Sequence, residues 1–110
     1  MKKSNEEAEL ADFGRFSEPA LLILVSLADG ARHGYSMTED IEAIAGVSLG
    51  PGTLYGALAR LEARGLIEPL KSEDRRKPYR LTTLGEHALR ARLDSMMAVA
   101  RTGQRRLANA

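Results

Sequence analysis

Arg75, Arg76 and Lys77 form a cationic run inside a stretch, Lys71 to Lys77, that holds no large apolar residue. Nothing draws these side chains into a core, so their chemistry is that of exposed cations: neutralising phosphates, or keeping a turn solvated. The neighbouring Glu73 and Asp74 would repel phosphate and are expected to point away from a polyanion. Upstream, LGPGTLYGALARLEARGL from Leu49 to Leu66 supplies hydroxyls and a guanidinium. Thr53 falls in the first turn of a candidate helix, where it either meets a base edge or satisfies the helix's own N–H groups. Tyr55, about 100° round that helix from Leu54, either offers its hydroxyl to a phosphate or packs as a boundary aromatic. Arg60 and Lys71 either reach phosphates or lie along the domain's own surface.

Bond-making chemistry is not indicated. The chain has no Cys, which removes disulfides, thiolate metal sites and cysteine nucleophiles and is compatible with a reducing cytosol. His33 and His87 are far apart in sequence, so a helix-start or packing role suits His33 better than metal binding. No nucleophile motif, Gly-rich phosphate loop after a strand, or metal spacing occurs, so neither an enzyme nor a cofactor is expected. Met1-Lys2-Lys3 is basic, but Ser4 to Glu9 is polar and acidic, and no apolar run approaches the roughly 18 residues that span a bilayer. A cytoplasmic chain without membrane contact is the expectation. The net charge of +1 argues weakly for nucleic acid, yet Glu6, Glu7, Glu9 and Asp12 crowd the first dozen residues while cations gather at residues 71–77 and in the last helix.

The elements that must position these residues are legible. Pro51 suits a first helical position, Gly50 and Gly52 allow a tight entry, and Gly65 ends the helix. Leu54, Ala57, Leu58 and Leu61 make one apolar stripe, while the outermost face is Gly52, Gly56, Ala59 and Ala63. Such a face approaches a groove closely but reads few bases directly, unless its small residues merely reflect helix propensity. Leu66 to Leu70 and Tyr79 to Thr82 read as two strands of a hairpin. Ser17 is placed to cap a helix through Leu27 that is apolar nearly all round, and a second helix from about Tyr35 to Ala45 carries Met37, Ile41 and Ile44 before Gly46. Thr82 or Thr83 starts a last helix, with Thr83 and Glu86 as a capping box. Helix, strand, cationic tip and strand follow the order of a winged helix-turn-helix, so the fold class is mainly α with a small β-hairpin. On that frame Thr53, Tyr55, Arg60, Lys71, Arg75, Arg76 and Lys77 are the candidate DNA-contacting residues.

Along the last helix Leu89, Leu93, Met96, Ala100, Gly103 and Leu107 alternate spacings of four and three, as in a coiled-coil seam. A helix of about 25 residues spans roughly 37 Å, and its stripe is covered either by a second subunit, the favoured reading, or by folding back. Fraying is expected beyond Arg101, unless a partner packs there, because Gly103 weakens the helix by about 1 kcal/mol relative to Ala. The chain divides into an arm or short helix at 1–16, capped by Ser4 and Glu7 and carrying Leu10 and Phe13 if helical, a winged helix-turn-helix at 17–82 and a dimerisation helix at 83–110.

HGY at His33 to Tyr35, PGTLYGALARLEARGLIE from Pro51 to Glu68 and RRKPYRLTTLGEHAL from Arg75 to Leu89 together resemble the PadR family of bacterial transcriptional regulators. The resemblance covers about residues 18 to 95. It implies a homodimeric winged-helix repressor on a double-stranded, inverted-repeat operator, with the last helix forming the dimer, and it places the chain with the short C-terminal branch. It also implies, for some members, a small-molecule effector between subunits; Met96, Met97 and Ala100 would line its pocket. Flat drugs stacked between tryptophans are not expected, since the chain has no Trp. A winged helix used only for protein contacts is the rival reading.

Overall fold

The computed structural model describes residues 18–72 and 75–110. Along them run α1 (Pro19–Ser26), β1 (Arg32–His33), α2 (Gly34–Ala45), α3 (Pro51–Ala63), β2 (Ile67–Pro69), β3 (Pro78–Leu81) and α4 (Thr83–Ala108). The strands form one antiparallel sheet in the order β1-β3-β2. The expected hairpin is therefore present, with a third strand added on the far side of β3.

The hub is α1. Leu21, Leu22, Ile23 and Leu24 are all buried because α2, α3 and α4 each pack against this short helix. Around it close Met37 and Ile41 of α2, Leu54, Leu58 and Leu61 of α3, Ile67 and Tyr79 of the sheet, and Leu89 of α4. Burying each large aliphatic side chain stabilises the fold by about 1.5–3 kcal/mol. The stripe expected on α3 is the buried one, Pro51 opens that helix behind Gly50, and the chain turns out of it through Gly65 at φ 75°. That left-handed conformation carries no steric cost for glycine.

Several expectations are corrected. The N-cap of α1 is Glu18, with Pro19 at the first helical position, and Ser17 lies outside the described residues. Ile44 shares the angular face of Met37 and Ile41 but is 53% exposed, while it is Ala45 of the same turn and Val47 beyond it that pack with the core. Thr82 rather than Thr83 caps α4: its Oγ1 accepts the Gly85 N–H at 3.0 Å, while the Glu86 N–H donates to the Thr82 carbonyl. The box between Thr83 and Glu86 therefore does not form. No break follows Arg101, and α4 continues through Gly103 to Ala108, with Arg105 and Arg106 in the last turn complementing the helix dipole. Leu89 is not on an open seam: at 5% exposure it belongs to this chain's own core, and Met96 is partly buried against the same core. The arm with Ser4, Glu7, Leu10 and Phe13, and the acidic pair Glu73 and Asp74, lie outside the described residues.

The exit of α4 is set by a close approach. The Thr82 N–H donates to the Leu66 carbonyl at 3.1 Å and its Oγ1 donates to the Gly65 carbonyl at 2.6 Å, drawing the helix start onto the chain leaving α3. Gly85 is buried there, and a Cβ on it would overlap the Leu66 carbonyl oxygen and lie 2.9 Å from the carbonyl carbon. Backbone cannot swing aside as a side chain can. Gly85→Ala is thus expected to lower the thermal midpoint although alanine is the better helix former, losing about 1–3 kcal/mol to overpacking against about 1 kcal/mol gained in propensity. Thermal denaturation followed by circular dichroism checks it; a midpoint at or above that of the parent chain would refute the close approach.

Candidate nucleic-acid interface

A groove opens where the start of α2, the first half of α3 and the wing between β2 and β3 meet. With the start of α2, His33 to Tyr35, taken as its floor, the groove is lined also by Tyr55 of α3, by Arg75, Arg76 and Lys77 of the wing and by Tyr79 of β3. The short strand β1 holds the arrangement together, because Arg32 pairs with Tyr79 and His33 with Pro78. The wing is thereby tied to the residue that starts α2.

Side chains lock that strand from beneath. Arg32 Nε donates to the Ser26 carbonyl at 2.9 Å, its Nη1 donates to Ser36 Oγ at 3.3 Å, and its Nη2 pairs with Asp29 at 3.3 Å and Asp40 at 3.8 Å. Ser26, 1% exposed, donates its hydroxyl proton to Asp40 Oδ2 at 2.7 Å. His33 caps α2, its Nδ1 accepting the Ser36 N–H at 3.3 Å, which is the helix-start role that its sequence position suggested. One polar cluster therefore joins the end of α1, β1 and the first turns of α2.

On the wing, Lys77 Nζ stands 5.7 Å from the centroid of the buried Tyr79 ring, a cation–π contact worth about 0.5–1 kcal/mol that holds the cation at the groove edge. Arg80 Nε donates to Glu68 Oε1 at 2.6 Å across the strand pair, so Arg80 is engaged within the sheet. Of the candidate contacts, the groove collects Tyr55, Arg75, Arg76 and Lys77. Thr53 is exposed on the first turn of α3 but outside the groove. Arg60 is exposed in the last turn of α3 and lies back along its own helix, since a Cβ on Gly56 would be 3.5 Å from its Nη1. Lys71 lines a separate depression on the wing with Pro69, Leu70, Ser72 and Lys77. Sequence reasoning missed Gly34, Tyr35 and Tyr79 as site residues. The HGY run was a usable signal, but nothing in its spacing showed that it faces the wing.

On α4, Met96 and Ala100 share a shallow groove with Arg92, Ser95 and Val99, whereas Met97 does not line it. The large apolar residues that α4 leaves exposed include Leu93, Met97 and Leu107 along one side, the last 79% exposed, and Val99 on another. Among the described residues no cluster of His, Cys, Asp or Glu is placed to hold a metal, and no helix is long and apolar enough to cross a membrane.

The model of the transcriptional regulator PadR-like family matches residues 23–91, which enclose every residue of the groove. The chain belongs to the PadR-like family. It is 46% identical over 82 residues to an uncharacterised 37.1 kDa protein in transposon TN4556 of Streptomyces fradiae, covering 74% of this chain and 24% of that protein. It is 43% identical over 75 residues to the transcriptional regulator Rv3488 of Mycobacterium tuberculosis, covering 63% of this chain and 66% of that protein. The chain thus spans only part of each of these curated relatives. A crystal structure of a PadR family transcription regulator from Clostridium difficile R20291 superposes with a TM-score of 0.75 at 25% identity, covering 83% of this chain and 99% of that one. PadR-like proteins are regulators rather than enzymes, in keeping with a groove of cations and tyrosines.

In this PadR-like fold the Ser26, Arg32 and Asp40 cluster should be measurable as a unit. Asp40→Ala leaves the buried Ser26 hydroxyl and the Arg32 guanidinium short of an acceptor, and should cost about 1–3 kcal/mol. Adding Ser26→Ala removes the stranded hydroxyl, so the double variant should be no less stable than Asp40→Ala alone. Urea denaturation of the four proteins tests this; strictly additive losses would mean the groups act independently.

Proposed function

We propose that this chain is a sequence-specific DNA-binding transcriptional regulator, a repressor that acts as a homodimer on an inverted-repeat operator. The carrying observation is the groove, in which the half-exposed Tyr55 of α3 and the wing residues Arg75, Arg76 and Lys77 open to one side. A recognition helix entering the major groove with a cationic wing on the adjacent backbone needs that common side. Tyr55 and the wing cations are assigned to phosphates, Thr53 to a base edge, and Arg60 and Lys71 to the flanking backbone.

The dimer reading is supported by α4, a 26-residue helix whose only buried residues are Gly85 and Leu89. Its exposed Leu93, Met97 and Leu107 lie within about 80° of one another round the helix and form an apolar strip that a second copy would cover. Two linked recognition helices then match half-sites about 34 Å apart. An effector, where one acts, would be small and apolar and would seat along Met96 and Ala100, altering the spacing of the two helices.

Selection from a random DNA pool supplies the operator. Replacing Arg76 and Lys77 by Ala should weaken binding to every sequence and make the plot of log K against log salt shallower, by up to about 0.9 for every phosphate that each subunit no longer neutralises. Absent or salt-insensitive binding by the parent chain would instead favour a winged helix that contacts only proteins. Leu93→Lys places a cation in the proposed seam and should release monomers and abolish operator binding together. Sedimentation showing an intact dimer would move the seam elsewhere.

A further inference from the structure

Gly34 opens α2 at the floor of the groove, is buried, and does not have a positive φ, so its backbone does not demand glycine. What it lacks is a side chain. A Cβ here would lie 2.8 Å from Tyr55 Oη, 3.3 Å from Tyr55 Cζ and 3.3 Å from Leu54 Cδ2. The end of the Tyr55 ring therefore rests on the bare Cα of Gly34. Leu54, its chain neighbour, is 3% exposed in the core, while Tyr55 remains 56% exposed despite that contact, so the rest of the ring faces the groove.

We infer that Gly34 is a positioning residue of the DNA interface: its missing side chain lets Tyr55 lie across the start of α2 and hold its hydroxyl at the groove floor, in the groove that Arg76 and Lys77 also line. This inference rests on the DNA-binding reading. An alanine methyl does not overlap backbone here as it would at Gly85. The nearest atom is the far end of a rotatable side chain, so the ring lifts, the hydroxyl leaves the floor, and the fold survives. Tyr55 thereby gives up a fixed hydrogen-bonding position while keeping every atom of its own. A hydroxyl held beside a phosphate by a rigid floor contributes more than one that must be ordered on binding, because its rotamer is already restricted.

A double-mutant cycle on operator affinity tests the link, using the parent chain, Gly34→Ala, Tyr55→Phe and the double variant. Each single variant should bind about ten-fold or more weaker, the scale of removing one hydrogen bond to a charged group. The double variant should be no weaker than the weaker single, because the hydroxyl that Phe removes has already been displaced. The salt slope should be unchanged throughout, since every cation is retained. Multiplying losses, or unaltered affinity in Gly34→Ala, would overturn the inference. Should Gly34→Ala fail to fold by circular dichroism, the same change is made with Tyr55→Ala, which clears the space above Gly34. Recovered folding supports the ring-on-glycine contact, and continued failure overturns it. Failure of the DNA reading is distinguishable, because there the parent chain itself binds no operator in a salt-dependent way.

Discussion

The pairing of Arg32 and His33 with Tyr79 and Pro78 is the constraint on which the geometry of the interface depends. An isolated two-stranded hairpin is marginal in water, and β2 and β3 are short. Without a third strand the wing would be held only where β2 leaves α3 and β3 enters α4 and by the burial of Ile67 and Tyr79, and its cations would have more freedom relative to Tyr55. β1 removes that freedom by making the residues that start α2 part of the same sheet. A two-residue strand has almost no stability of its own, so the Arg32 contacts to Ser26, Ser36, Asp29 and Asp40 maintain it. Through β1 the polar cluster would bear on the proposed interface although none of Ser26, Asp29, Arg32, Ser36 or Asp40 lines the groove.

The same logic governs α4. Its direction is set over one turn, where Thr82 bonds to the Gly65 and Leu66 carbonyls and Gly85 lies against the Leu66 backbone. Leu89 then anchors the helix in the core, and Arg92 pairs with Glu18 at the head of α1 at 3.1 Å. That exposed ion pair contributes at most about 1 kcal/mol, so packing rather than charge fixes the angle. Because the fixed point lies where α3 leads into β2, the helix proposed to join subunits is rigidly referenced to the helix proposed to read DNA. Any change in how two copies of α4 cross would pass directly into the spacing of the recognition helices.

Much of this was legible in the sequence because strong local signals coincide with tertiary demands. Leu54, Ala57, Leu58 and Leu61 announce the buried face of α3, and Pro51 and Gly65 mark its ends. What was not legible is what tertiary structure imposes on segments without local pattern. Two residues cannot display the alternation of a strand, so β1 was invisible. Ile44 and Leu89 show that helical periodicity gives a direction but not where the core stops: one is exposed on the expected face, the other buried where an open seam was expected. Gly34 and Gly85 look alike in sequence, yet one leaves room for a rotatable ring and the other for fixed backbone. The candidate contacts divided for the same reason. Tyr55 and the wing residues Arg75, Arg76 and Lys77 converge, whereas Thr53, Arg60 and Lys71 do not join them.

The small outer face of α3 places a further limit on recognition. Gly52, Gly56, Ala59 and Ala63 have no groups for bidentate hydrogen bonding, so a helix carrying them discriminates bases weakly through that face. Close approach is what such a face permits, and it makes the fit sensitive to groove width and bend. With a net charge of only +1, the chain has little diffuse attraction for a polyanion, so the proposed DNA binding would draw its affinity from cations placed accurately on few phosphates. Accuracy of placement is what the β1 pairing and the Lys77–Tyr79 contact would supply to the wing cations. On this reading specificity resides less in any one side chain than in rigidity: two grooves held at a fixed spacing accept DNA whose shape already suits them, and reject sequences that must be deformed to fit.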